Sequence, residues 1–129
     1  PSTPAQYGAL AALESDNSFV FNMRDTFKIR RDLLRSKISE TLGKQLPNPE
    51  GAFYLFVPVQ ELYGKVTPNG KVISDSISFC SYLLESFGLA IIPGKAFGMD
   101  SCVRFSYAAS EETLLEASKR FELGVKSLK

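Results

Sequence analysis

The chain has 129 residues, 44% of them hydrophobic, which is enough apolar material for one core and too much for a disordered segment. Fifteen Lys and Arg face fourteen Asp and Glu, and the net charge of +1 offers no bulk attraction to nucleic acid or anionic lipid. Histidine is absent, so Ser-His-Asp and Cys-His catalysis and the commonest zinc ligand are excluded, and any chemistry must come from Lys, Tyr, carboxylates or a cofactor.

Residues 5–13 are good helix formers, in a stretch too short to stand alone. The chain opens without Met on a helix that needs support, and we therefore expect it to be a piece of a longer polypeptide. The polar break at residues 14–17 supplies capping side chains for a long helix over 18–42. Val20, Met23, Phe27, Leu34, Ile38 and Leu42 recur at helical spacing and predict a single apolar stripe. Arg24, Lys28, Arg31 and Arg35 follow one another on the opposite side. No aromatic residues interleave them, and Asp25, Asp32 and Glu40 lie nearby, so the basic row reads as a solvated face.

Gly43 and the two prolines of 46–51 end that helix. The aromatic and β-branched run 52–57 reads as a strand, and 60–74, with Gly64, Pro68, Asn69 and Gly70, as a surface loop or loose hairpin. A helix from Asp75 or Ser76 places Phe79, Cys80, Leu83, Leu84 and Phe87 on one face and stops at Gly88. Two further strands, 89–92 and 102–107, flank a loop punctuated by Pro93, Gly94 and Gly98. Ser110 caps a last helix with Glu111 and Glu112 in its first turn and a stripe of Leu114, Ser118, Phe121, Val125 and Leu128. This order predicts an α+β two-layer sandwich, a small, mostly antiparallel sheet with helices against one face.

Cys80 and Cys102 are too few for a disulfide framework and lack metal-ligand spacing; reduced thiols and a cytoplasmic location are expected. No apolar run approaches the roughly 20 residues that span a bilayer, and no basic segment precedes an apolar stretch among the first residues, so neither a membrane nor a nucleic acid is an expected partner.

Gly94-Lys95 fails as a phosphate loop, because Gly88 lies one residue too far upstream and Ala96 stands where Ser or Thr would meet the metal. Lys37, Lys44, Lys65, Lys95 and Lys119 each follow Ser or Gly, but none has the apolar setting that would lower its pKa for Schiff-base chemistry. Arg104 is the exception to a bland reading. Strand alternation puts it with Cys102 and Ser106, opposite Val103, Phe105 and Tyr107, and a guanidinium so placed needs a matching anion. That anion is either an internal Asp or Glu or a ligand.

Four motifs carry a resemblance. Pro49-Glu-Gly-Ala-Phe-Tyr-Leu-Phe56, Tyr82-Leu-Leu-Glu85, Leu89-Ala-Ile-Ile-Pro-Gly-Lys-Ala-Phe-Gly98 and Val103-Arg-Phe-Ser-Tyr-Ala-Ala-Ser110 resemble, in order, the C-terminal part of class I, fold-type I pyridoxal-phosphate aminotransferases. The Ser-Tyr-Ala-Ala-Ser ending is most similar to the bacterial and plastid-type aspartate and prephenate aminotransferases. The resemblance implies that residues 1–16 end the large cofactor domain and that 17–129 form the small domain, including the connector helix. It also implies that Arg104 pairs with the substrate α-carboxylate, that Phe53 lies on the substrate side, and that the parent is a homodimer acting on amino acids and 2-oxo acids. The family's Ser-Lys motif, with an aromatic and Gly-x-Arg after it, is not found, so pyridoxal phosphate would be bound by the parent and this chain would hold no catalytic residue. The alternative is a non-catalytic module of the same fold that binds a carboxylate or a partner.

Overall fold

The computed structural model describes residues 1–129, and the predicted element order holds. Helices α1 (Thr3–Glu14) and α2 (Ser18–Leu42) lead to strand β1 (Tyr54–Pro58) and helix α3 (Ser76–Phe87). Strands β2 (Ile92–Pro93) and β3 (Cys102–Ser106) and helix α4 (Glu111–Lys126) follow, with 3-10 turns at Gln60–Leu62 and Gly94–Phe97. The sheet is antiparallel with order β1-β3-β2, and β1 sets Leu55 opposite Phe105 and Val57 opposite Val103. Residues directly opposite in such a pair share a face. These four are buried, and with Leu34 and Ile38 of α2, Phe79 and Leu83 of α3, and Leu114 and Phe121 of α4 they form one core with the helices on one side of the sheet. The expected α+β two-layer sandwich is the architecture observed.

Local chemistry explains the helix ends. Asp75 accepts from the Ser78 N–H at 2.8 Å while the Ser78 hydroxyl takes the Asp75 N–H at 3.0 Å, a reciprocal cap on α3. Gly43 and Gly88 close α2 and α3 in the left-handed region, at φ of 64° and 62°. At the start of α2 it is Asp16 that accepts from the Ser18 N–H at 3.1 Å. Gly124 has a different duty: a Cβ there would collide with Leu83, and the bare backbone lets α4 approach α3 closely enough for the Tyr82 hydroxyl to donate to the Gly124 carbonyl at 3.0 Å.

The structure corrects several sequence expectations. β1 begins at Tyr54, and Phe53 precedes it. β2 is only two residues long, and its second residue, Pro93, has no N–H to give to the ladder. Leu84 is exposed although it lies at helical spacing from Cys80, which is buried as expected. The stripe on α2 is buried only toward its C-terminal end: Leu34 and Ile38 are in the core and Phe27 and Leu42 lie against it, whereas Val20 and Met23 are exposed. The basic row is not uniformly solvated either. Arg31 donates to the Pro49 carbonyl at 3.0 Å and Arg35 to the Leu46 carbonyl at 2.9 Å, tying the helix to the loop that follows it.

No residue of α1 is buried. Phe121, fully buried, instead meets Phe105 and Phe79 edge-on at 5.2 and 6.2 Å, linking sheet to α3. Phe121→Ala should therefore lower the unfolding free energy by about 3–5 kcal/mol. Leu13→Ala, at a side chain 85% exposed, should change it by less than about 0.5 kcal/mol. Urea unfolding of the two variants checks both values.

Candidate functional site

The outer face of the sheet, away from the helices, carries the candidate site. Alternation that buries Leu55, Val57, Val103 and Phe105 turns Tyr54, Phe56 and Arg104 outward, and the register sets Phe56 directly opposite Arg104. Ile92 flanks Arg104 on the other side. The 3-10 turn after β2 brings Phe97 over the same face, edge-on to Phe56 at 6.1 Å. Tyr54, Phe56, Phe97 and Arg104 together line a cavity of about 240 Å³.

Arg104 makes no salt bridge, in contrast to Arg24, Arg31 and Arg120, each of which is paired with an acid. Its Nε is buried without a hydrogen-bond partner. Of the two readings left by the sequence, the internal ion pair is absent from the structure. What surrounds the guanidinium is aromatic: its carbon lies 4.4 Å from the centroid of Tyr54, 5.2 Å from that of Phe97 and 5.9 Å from that of Phe53. The site residues predicted from sequence, Arg104 and Phe53, are thus brought together. Tyr54 and Phe97 join them, and neither had been singled out. Alternation from Phe56 was sufficient to find Tyr54, but Phe97 lies in a turn, where no periodicity marks a direction.

Two sets of bonds fix the segments that carry these rings. Phe53 leaves a turn in which Ala52 has φ of 64°, unusual for a residue with a Cβ. Tyr107 clamps that turn: its hydroxyl donates to the Ala52 carbonyl at 3.0 Å and its N–H to the Phe53 carbonyl at 2.8 Å. On the Phe97 side, Asp100 accepts from the buried Ser76 hydroxyl at 2.6 Å and from the Ser76 N–H at 3.1 Å, and the Lys95 N–H donates to the Ser76 oxygen at 3.2 Å. Tyr63 donates its hydroxyl to the Asp100 carbonyl. Gly94 is held so close to the Met99 and Cys102 carbonyls that a Cβ would strike both, so packing accounts for this glycine and no phosphate cradle is needed to explain it.

The lysines remain at the surface. Every one but Lys44 is exposed, and Lys44 donates to the Pro58 carbonyl and pairs with Glu61; Lys37 pairs with Glu40, and Lys95 lies 3.8 Å from Asp75. Both cysteines are free and buried. No helix is long and apolar enough to cross a membrane.

The family model for aminotransferase class I and II matches residues 2–121. An aspartate/prephenate aminotransferase of Cereibacter sphaeroides is 42% identical over 122 residues, 95% of this chain and 30% of its own length. A bifunctional aspartate aminotransferase and glutamate/aspartate-prephenate aminotransferase of Petunia hybrida is 38% identical over 131 residues, 99% of this chain and 27% of its own length. The crystal structure of an aspartate aminotransferase from Rhizobium meliloti superimposes with a TM-score of 0.95 at 39% identity, covering 100% of this chain and 32% of that one. The chain therefore spans about 30% of the length of the curated relatives it matches.

Burial pushes the Tyr63 hydroxyl up to about 12 from its ordinary 10.0, with the charges of Asp100 and Asp75 adding to the effect. A raised folded-state value favours the neutral phenol, so this contribution to stability is complete below pH 10 and is lost as pH rises through about 12. Tyr82 and Tyr107 are raised by burial as well. Urea unfolding as a function of pH should show a decline in that window that is shallower in Tyr63→Phe than in the wild type. Phenolate absorbance should lose its last-titrating component in the variant.

Proposed function

Since the chain belongs to the class I and II aminotransferases, we propose that it is the small-domain segment of a pyridoxal-phosphate-dependent aspartate aminotransferase and supplies that enzyme's anchor for the substrate carboxylate. The observation that carries the proposal is Arg104, a partly buried guanidinium without an acidic partner, facing a cavity on the free face of the sheet. Desolvated positive charge of this kind is costly unless an anion of matching shape meets it, and a carboxylate meets the planar fork with two parallel hydrogen bonds. Phe53, beside the guanidinium and 48% exposed, lies on the substrate side in this reading. The substrates are an amino acid and a 2-oxo acid, each of which carries the carboxylate that Arg104 grips.

Residues 1–16 belong, in the same proposal, to the large cofactor domain, and 17–129 to the small one. Support comes from exposed apolar side chains in this region, Tyr7, Leu10 and Leu13 on α1 and Phe19, Val20, Phe21 and Met23 at the start of α2, which a larger neighbour would cover. The parent works as a cytoplasmic homodimer. Pyridoxal phosphate, when bound, stabilises the electron pair released at the substrate α-carbon. This chain's own residues do not fit a seat for it, because its lysines are solvated or paired with acids at the surface and none is desolvated as a Schiff-base lysine must be. The isolated chain, treated with pyridoxal phosphate and borohydride, should give only scattered partial labelling on peptide mapping; one stoichiometrically labelled lysine would overturn this assignment.

Arg104→Lys in the full-length protein tests the anchor. The charge survives but the fork does not, and a hydrogen bond to a charged group contributes about 1.5–3 kcal/mol. The expected result is a fall in kcat/KM of roughly ten- to a hundred-fold, much of it as weaker substrate binding, with little change in melting temperature. A lowered melting temperature with intact affinity for a dicarboxylate analogue would instead identify a structural arginine.

A further inference from the structure

We propose that Tyr54 and Phe97 are positioning residues for Arg104: their rings hold the guanidinium over the sheet in place of an acidic partner and leave its charge free for the incoming carboxylate. The inference rests on the carboxylate-anchor reading of Arg104 and goes beyond it by assigning the groups that orient the fork.

An arginine that must grip a ligand faces conflicting demands. It has several rotatable bonds and has to be held still before the ligand arrives, or part of the binding free energy is lost in ordering it. The usual restraint is a carboxylate, as at Arg31, 2.7 Å from Asp32. A carboxylate, however, occupies the same N–H groups that the ligand needs, and the ligand would have to displace it. An aromatic face avoids the conflict. It attracts the cation through its quadrupole, carries no net charge, and has no lone pairs that compete for the in-plane N–H donors.

The distances fit this arrangement. Tyr54 at 4.4 Å and Phe97 at 5.2 Å are both within the roughly 6 Å over which a ring attracts a cation; Phe53, at 5.9 Å, is at the margin. The two nearer rings come from different elements, Tyr54 from β1 and Phe97 from the turn after β2. Each is braced. Tyr54 is fixed by the β1–β3 register, and Phe97 by its edge contact with Phe56 and by the bonds from Asp100 and Lys95 to Ser76. Phe97 is nevertheless 51% exposed, so it does not serve the core, and its place over Arg104 is what the bracing secures.

The experiment uses the full-length protein and succinate, an unreactive dicarboxylate, as the probe. Phe97→Leu and Tyr54→Leu should each weaken succinate binding about 3- to 30-fold and raise the substrate KM by a similar factor, with kcat changed less than about twofold. Phe97→Tyr and Tyr54→Phe keep a ring face and should restore affinity to within about twofold of the wild type. Phe97, half exposed, gives the variant that is expected to fold without difficulty. Arg104→Lys is measured alongside. If Arg104→Lys loses succinate and the leucine variants do not, the rings do not position the arginine and the anchor reading stands alone. If Arg104→Lys binds succinate as the wild type does, the anchor reading falls and this inference falls with it. A lower melting temperature with unchanged succinate affinity in Phe97→Leu would likewise overturn the positioning role.

Discussion

The pairing of β1 on β3 is the constraint on which the rest depends. Side chains alternate across a strand, so the register that sets Leu55 opposite Phe105 and Val57 opposite Val103 also sets Phe56 opposite Arg104 on the reverse face. A slip of one residue would exchange the faces, burying Arg104 among Phe79, Leu83 and Phe121 and exposing the residues that now form the core. The same hydrophobic burial that stabilises the domain therefore holds the guanidinium outward. Core and site are two faces of a single ladder, and neither can be altered in register without the other.

Helix ends and the order of elements along the chain were legible in the sequence because they follow from short-range chemistry. Asp75 and Ser110 cap, Gly43 and Gly88 adopt the left-handed conformation, and prolines break what precedes them. The mistakes have a common source, which is that periodicity says which residues share a face and not what lies against it. Val20 and Met23 are spaced correctly on α2 yet are exposed, and so is Leu84, at helical spacing from the buried Cys80. Arg31 and Arg35 looked solvated because their partners are backbone carbonyls, Pro49 and Leu46, which a sequence does not advertise.

The site was legible to the extent that it lies on strands. Arg104 stood out by alternation alone, whereas its lack of a hydrogen-bond partner at Nε is a three-dimensional fact that no spacing carries. Phe53 was reached through a family motif. Phe97 depends on Gly94, Asp100 and Ser76, residues from a turn and a helix N-terminus, and contacts of that kind have no spacing rule. The Rhizobium meliloti structure shares the fold over the whole chain, with a TM-score of 0.95.

The two arginine clamps on α2 have a mechanical consequence. Arg31 and Arg35 fasten the C-terminal half of the helix to the loop at 46–49, and Leu34 and Ile38 seat the same half in the core. Residues 18–23, at the other end, are all exposed. Because β1 follows soon after the clamped loop, these arginines tie one end of α2 to the approach to the sheet that carries Arg104.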